Sequence, residues 1–582
     1  MALINDFKLI FEILQKEDRF DFFFLVIVLI FTSLLEVVGI ASIIPFIHSI
    51  INQETLLDNK ILKNIYLLFE FSDKSNFQVF IFTCFSILVI LSLLLRSLSV
   101  YIQYKFALLK EFSISKRLLS SYINQDYLWF TNQNSSKLIK NLLSEVSTVV
   151  NVGIVHYINI ISQIFIILSI ISVLLIVNFK ISLISGIFLI SIYFFTFKYF
   201  GSILKNFGDQ RYNANEKRFF IVDEIFNAIR ELKFFNLTEK YKFNFNNQNL
   251  KYVKTNLYSS VISVLPRYFF EFIIFSFMLI FIFIILKNNL GLINLVPIIS
   301  FYLFACYRLM PALQSSYNSI SKLKFTNKSL HKLHDELLKV NLNNNGKDLK
   351  IINNEILNFK NSIEFKAVDF KYPTSKKKNL QNITAQFTKG KKIGITGETG
   401  SGKTTFLNLL TGMFPPTNGK ILVDNKELKK NNINLFRKKI GYAPQNTILI
   451  DDTLAANIAL SDKYSKIDYQ RLINAAKCAE IFEYIDNDLP EKFETYVGQN
   501  GAKLSGGQKQ RIGIARALYK NPNIIIFDEA TNALDNLTEK NIFKNIFEIE
   551  QITLFVISHN IEIFKEFDEI LVFKNGKIIT QH

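Results

Sequence analysis

Six apolar runs, each near or above the roughly 20 residues a helix needs to cross a bilayer, dominate the first half of this 582-residue chain. They fall at 22–47, 78–101, 151–178, 181–204, 258–286 and 291–313, and beyond residue 345 no run is long enough. The chain is 49% hydrophobic, with 58 Phe, yet 20% charged. Such a mixture requires one part in lipid and another in water. The first run is too long for a signal-peptide core and follows KLIFEILQKEDRF, which reads as an amphipathic interfacial helix, so it is expected to be retained. An even number of spans leaves both termini on one side.

The loops give the side. Segments 102–150 and 205–257 carry Lys105, Lys110, Lys116, Arg117, Arg211, Lys217 and Arg218, whereas the short connections at 179–180 and 287–290 carry almost no basic residues. Basic loops stay in the cytoplasm. The same rule accounts for the formal net charge of +18 without a nucleic-acid surface, and no DNA or RNA partner is expected. Cys84, Cys306 and Cys478 are isolated, so neither a disulfide framework nor a CxxC metal site is suggested. Both long loops have helical periodicity, which predicts helices that run past the membrane before turning back. Their tips are expected near QDYLWFTNQ (125–133) and ELKFFNLTEK (231–240). Clustered aromatics there fit either docking on a soluble partner or ordinary hairpin packing.

Residues 51–77 differ. Leu57, Ile61, Leu62, Ile65, Leu68 and Phe69 make a helical stripe, which predicts an external amphipathic helix at about 54–70, on the interface or on the protein. The resulting division is a transmembrane domain over 1–340, an Asn-rich linker over 341–360 and a soluble domain over 361–582.

The soluble part carries nucleotide chemistry. IGITGETGSGKTT (393–405) has an apolar strand followed by Gly397, Gly400, Gly402, Lys403 and Thr404 in phosphate-loop spacing. Glycines turn backbone N–H groups toward phosphates, Lys403 reaches the β and γ phosphates, and Thr404 ligates Mg²⁺ at a helix N-terminus. NIIIFDEA (523–530) reads as a buried strand ending in two acids. Asp528 would hold Mg²⁺, and Glu529 is placed to polarise the attacking water. The expected cofactors are ATP and Mg²⁺.

Between these motifs lies LSGGQKQR (504–511), with which the chain resembles the ATP-binding cassette transporters. The resemblance implies that Ser505, Gly506, Gly507 and Gln508 contact nucleotide bound to an opposite subunit, and that Thr405 belongs to the ATP-binding set. It further implies Tyr372 in DFKYP as the aromatic on adenine, Gln445 in YAPQN as a Q-loop residue facing Mg²⁺, Asp535 as the D-loop acid and His559 as the switch histidine. Glu529, His559 and Gln445 then form the expected catalytic set. Six spans ahead of one cassette resemble a half-transporter exporter. The fold class this implies is an all-α domain of six transmembrane helices, the type IV exporter arrangement, fused to an α/β P-loop ATPase. Because each ATP is sandwiched between two cassettes, a homodimer is implied. One departure lies at TYVGQNG (495–501), where exporters often carry acids in place of Tyr496 and Gln499.

Three arginines remain, Arg96, Arg267 and Arg308, all in the cytoplasmic halves of their spans. Arginine at membrane depth is costly. Either these side chains snorkel or pair locally, as Glu271 one turn after Arg267 permits, or they face a central cavity and receive a phosphate group. Glu36, in the first span, reads as a buried partner for a neighbour. VLPRYFFE, YRLMP, SLLEVVGIASIIPFI and the external helix together resemble the bacterial lipid-linked oligosaccharide flippases of protein N-glycosylation. That resemblance implies a membrane-lipid substrate in the bacterial inner membrane, with Arg96, Arg267 and Arg308 engaging its pyrophosphate. Export of lipid A, another lipid, a peptide or a drug is the alternative.

Overall fold

A helix rises about 1.5 Å per residue, so 50 residues reach about 75 Å, more than twice the thickness of a hydrocarbon core. Helices of that length recur in this protein. A computed structural model describes residues 2–41, 64, 66–69, 74–177, 179–287, 292–344, 359–460 and 467–581. The chain forms two units, Met1–Gln125 with Asn132–Asp348, and Asp126–Thr131 with Leu349–His582.

The first unit is helical. After α1 (Ala2–Ile13) come α2 (Lys16–Ala41) and the 50-residue α3 (Lys74–Ile123). The short α4 (Tyr127–Phe130) is counted with the second unit. Then follow α5 (Ser135–Lys140), two π-helical stretches at Asn141–Glu145 and Val149–Ile154, and α6 (Val155–Val177). The remainder is α7 (Phe179–Asn227), α8 (Ile229–Phe234), α9 (Thr238–Lys287) and α10 (Leu292–Asn344). Thus α3, α7 and α10 each continue from an apolar half into a polar one and α9 from a polar half into an apolar one; for α3, α7 and α9 this is what the loop periodicity predicts. Among the described residues, Ser75–Ile123 and Ser135–Ile176 are long and apolar enough to cross a membrane. Phe23, Ile27, Phe31, Ile87, Leu94, Phe272 and Phe283 are exposed along the apolar halves, a surface that suits lipid rather than water. Most of the expected external helix at about 54–70 and of the linker at 341–360 lies outside the described residues, as does the Glu36 side chain.

The polar halves are joined by buried charge. Arg211 Nη2 donates to Glu145 Oε2 at 2.9 Å, both side chains being almost fully buried, and Asn215 Nδ2 donates to Glu145 Oε1 at 3.1 Å. Lys140 is fully buried, donates to Glu216 Oε2 at 3.0 Å and sits 3.7 Å from the centroid of the Tyr212 ring. Tyr122 donates to Glu336, whose other oxygen accepts from Asn141 Nδ2 at 2.7 Å. These contacts tie α3, the α5 segment, α7 and α10 together. At the second tip Leu232 is buried, whereas Phe234 and Phe235 stand exposed.

The second unit contains two sheets. One is antiparallel, in the order β2-β1-β4-β5, from β1 (Ser362–Phe370), β2 (Leu380–Thr388), β4 (Asn418–Val423) and β5 (Lys426–Glu427). The other has the order β10-β9-β3-β8-β7-β6, from β3 (Lys392–Gly397), β6 (Ile440–Ala443), β7 (Ile524–Asp528), β8 (Thr553–Ile557), β9 (Glu569–Lys574) and β10 (Lys577–Gln581). Strands β9, β3, β8, β7 and β6 run parallel, and β10 is antiparallel to β9. Every residue of β7 and β8 is buried, which explains why both read as continuous apolar runs rather than alternating ones. The helices are α11 (Lys403–Leu410), α12 (Ile433–Arg437), α13 (Leu454–Ala459), α14 (Tyr469–Cys478), α15 (Gly506–Tyr519) and α16 (Asn536–Phe547). Segment 126–131 docks into this unit. Tyr127 stacks on Phe414 with ring centroids 5.9 Å apart, Leu128 packs on the core beneath, and Asp126 pairs with Lys430. For the first aromatic tip, the structure therefore gives docking rather than hairpin packing.

Removing one partner of a buried ion pair strands the other without water, at a cost of about 3–5 kcal/mol. Arg211→Met is accordingly expected to lower the thermal unfolding midpoint of the detergent-solubilised protein. Combining it with Glu145→Leu should recover most of that loss.

Candidate functional site

In open parallel sheets, ligands bind beyond the carboxyl ends of the strands. Here four adjacent strands, β3, β8, β7 and β6, deliver the phosphate loop, His559, Asp528 with Glu529, and Gln445 to that edge.

The loop after β3 needs glycine at defined positions. Gly397 has φ 141°, and a Cβ there would lie 2.2 Å from the Phe573 carbonyl oxygen. Gly402, the N-cap of α11, has φ 109°, and its Cβ would meet Leu380 Cδ2 at 2.8 Å and the Asn379 carbonyl oxygen at 3.1 Å. Gly400 is likewise left-handed. Lys403 opens α11, is buried, and donates to the carbonyls of Gly397 at 2.6 Å and Glu398 at 3.1 Å. The first turn of α11 aims free N–H groups out of this loop. Thr405 Oγ1 lies 3.3 Å from the Tyr372 hydroxyl, while the Tyr372 ring packs edge-on against Phe370 and Phe414.

Asp528 ends β7 and is buried. Burial pushes its carboxyl above the ordinary range and the neighbouring Glu529 charge adds to this, against hydrogen bonds from Tyr442 and Thr404. The Tyr442 hydroxyl donates to Asp528 Oδ2 at 3.1 Å. Thr404 hydroxyl, Asp528 carboxylate and Gln445 carbonyl are all hard oxygen donors, a set that suits Mg²⁺. Glu529 follows at φ 53°, a left-handed conformation uncommon for a residue with a side chain. Its carboxylate is held from several directions. Gln445 Nε2 donates to Oε2 at 2.8 Å, Asn532 Nδ2 donates to the same oxygen at 3.0 Å, and His559 Nε2 lies 3.3 Å from Oε1. The structure thus brings Glu529, Gln445 and His559 together, as the motifs predict.

Ser505 is the N-cap of α15. Its hydroxyl accepts from Gln508 N at 3.2 Å, and Gln508 Oε1 accepts from Ser505 N at 2.8 Å, a complete capping box. Gly507 lies close to Ala533, whose carbonyl oxygen would be 3.1 Å from an added Cβ. Asp535 caps α16 by accepting from Thr538 N at 3.0 Å, and this bond holds its carboxyl below the ordinary range. Among the described residues, no hydrogen bond joins Ser505 to Lys403, Thr404 or Asp528. Tyr442 and Asn532 do not stand out in the sequence. Tyr442 lies in the YAPQN segment, and Asn532 falls three residues after Glu529, a turn spacing that is the available signal.

The three arginines lie on different helices, α3, α9 and α10. Arg267 Nε donates to Glu271 Oε1 at 2.6 Å, so the local pair forms. Arg96 is half-buried. Arg308 is also half-buried, with its guanidinium carbon 5.7 Å from the Phe304 ring centroid and its buried Nε without a hydrogen-bond partner among the described residues.

A membrane-sized helical unit and a P-loop unit with these strand-end residues define an ATP-driven membrane protein by class. The sequence profile described as "ABC transporter transmembrane region" matches residues 20–307, and that described as "ABC transporter" matches residues 380–532. The chain belongs to the ABC transporters, joining their membrane region to their ATPase domain, a domain that uses ATP with Mg²⁺. A solved structure, "Structure of a bacterial Atm1-family ABC exporter with ATP bound", is similar in fold, with TM-score 0.73 over 94% of each chain at 20% identity. The fold is that of the type IV ABC exporters. Curated relatives named "Leukotoxin translocation ATP-binding protein LktB", from Mannheimia haemolytica and Bibersteinia trehalosi, are 41% identical over 223 residues, 38% of this chain. The match spans 31% of those relatives' length.

A side chain at a left-handed glycine position costs roughly 1–3 kcal/mol in strain. Gly402→Ala is expected to weaken binding of a fluorescent ATP analogue by about tenfold. Equal affinity in the variant and the wild type would contradict the cradle geometry.

Proposed function

We propose that two copies of this chain form an ATP-driven flippase that moves a polyprenyl-pyrophosphate-linked oligosaccharide from the cytoplasmic to the outer leaflet of a bacterial inner membrane. The observation that carries the cargo is Arg308. Its Nε is buried without a hydrogen-bond partner among the described residues, and an unpaired buried donor on a charged group invites an acceptor. A pyrophosphate is a multiply charged acceptor matched to guanidinium. Arg96 and Arg267 extend the same basic lining, with Arg267 exchanging Glu271 for the phosphate when the lipid enters.

In the cassettes, Lys403 and the N–H groups of the phosphate loop bind the β and γ phosphates, with Thr405 and Tyr372 alongside. Thr404, Asp528 and Gln445 would hold Mg²⁺, which would supply neutralising charge to the phosphates. Glu529 orients and polarises the attacking water, and His559 supports it beside the γ-phosphate. Ser505, Gly506, Gly507 and Gln508 close the site from the second copy, so hydrolysis requires the dimer. ATP binding draws the cassettes together, and segment 126–131, seated on Phe414 and Lys430, transmits that movement to the helices.

A second reading, export of a protein or peptide, draws on the leukotoxin translocation named for the curated relatives. Reconstituted protein separates the two. Wild type should move a pyrophosphate-linked polyprenyl oligosaccharide across proteoliposomes on adding ATP. Glu529→Gln should lower hydrolysis by about 100-fold or more and abolish transport. Arg308→Ala should lose transport while retaining hydrolysis. Wild-type hydrolysis without lipid movement would leave the ATPase intact and overturn the cargo.

A further inference from the structure

We infer that Asn532 is a positioning residue for ATP hydrolysis, acting through the carboxylate of Glu529; this rests on the reading of Glu529 as the residue that polarises water. The three groups around that carboxylate differ in where they are anchored. Gln445 follows β6 and His559 follows β8, and both are expected to engage nucleotide or metal as well. Asn532 belongs to Glu529's own turn, where Asn532 N donates to the Glu529 carbonyl at 3.3 Å. Its Nδ2 donates to Glu529 Oε2 at 3.0 Å. A carboxylate accepts only, so the amide of Asn532 presents its nitrogen there by necessity.

The turn itself is fixed from the opposite side. Gln510, buried on α15, accepts from Ala533 N at 2.8 Å through Oε1. The turn that carries Asn532 is thus tied, through Ala533, to the helix that begins at Ser505. The Asn532 bond to Oε2 comes from the same turn as Glu529, so it would persist if Gln445 or His559 were drawn to metal or phosphate. Glu529 N donates to the Ile557 carbonyl at 3.2 Å, which anchors the backbone to β8, and the Asn532 bond sets the direction of the acceptor oxygens from within the same turn.

The test uses the full-length protein with wild type and Glu529→Gln as references. Asn532→Ala removes the donor. Asn532→Asp keeps the shape but sets an acceptor beside Glu529 that repels it. A misplacement of about 1 Å costs on the order of 100-fold in rate. Asn532→Ala is expected to lower kcat for ATP about tenfold or more, Asn532→Asp further, with KM within about twofold. An Asn532→Asp variant with wild-type kcat, or a loss carried by KM alone, would overturn the inference. Should Asn532→Ala melt early, the isosteric Asn532→Asp decides it. Glu529→Gln hydrolysing at the wild-type rate would remove the reading of Glu529 and this inference with it.

Discussion

Charges taken out of water have to be answered at once, and in the helical unit that requirement falls on Lys140, Glu145 and Arg211, with the half-buried Glu336 beside them. Isolated, each would carry a desolvation cost of several kcal/mol. Together with Asn141, Asn215, Glu216 and Tyr122 they satisfy one another across helices that are far apart in sequence. Apolar packing alone would tolerate sliding of one helix past another, because hydrophobic contact is not directional. Hydrogen-bonded charge does not tolerate it. The register of the long helices in their polar halves is consequently fixed.

The cassette relies on a different constraint. A parallel sheet covered on both faces leaves only its strand ends open, and the order β3-β8-β7-β6 sets four loops side by side there. Residues separated by well over a hundred positions, from Lys403 to His559, become neighbours without any of them being specified by local context. Segment 126–131 adds its aromatic ring to the Phe414 stack of this unit, so a short stretch of the first 340 residues packs as part of the second unit.

How much of this was legible follows from how tightly chemistry ties residue type to position. The phosphate loop could be read because a left-handed φ and a carbonyl 2.2 Å from a Cβ exclude every residue but glycine at Gly397. Glu529 and Asp528 could be read because two acids closing a buried apolar strand add nothing to its packing and so point to a metal or a water. The buried network could not. Arg211 looked like one more cytoplasmic basic residue, yet it is among the most buried charges described, since its partner Glu145 lies 66 positions away. Asn532 escaped for the opposite reason: polar residues after a strand are ordinary in turns. Arg96, Arg267 and Arg308 were legible as a cost, and the Arg267 pair with Glu271 was legible as spacing.

The π-helical stretches carry one more implication. In an ordinary α-helix, positions five apart point about 140° away from one another. Widening to i→i+5 closure brings them toward a common side. Asn141–Glu145 is wound in this way, so Lys140 and Glu145 both turn toward α7. The number of residues in that stretch is thus a specification in its own right, independent of what the residues are. A homologue with identical side chains and one position fewer would revert to tighter winding, rotate everything on one side by about 100°, and face a charge toward apolar neighbours. Here the chain encodes geometry by counting.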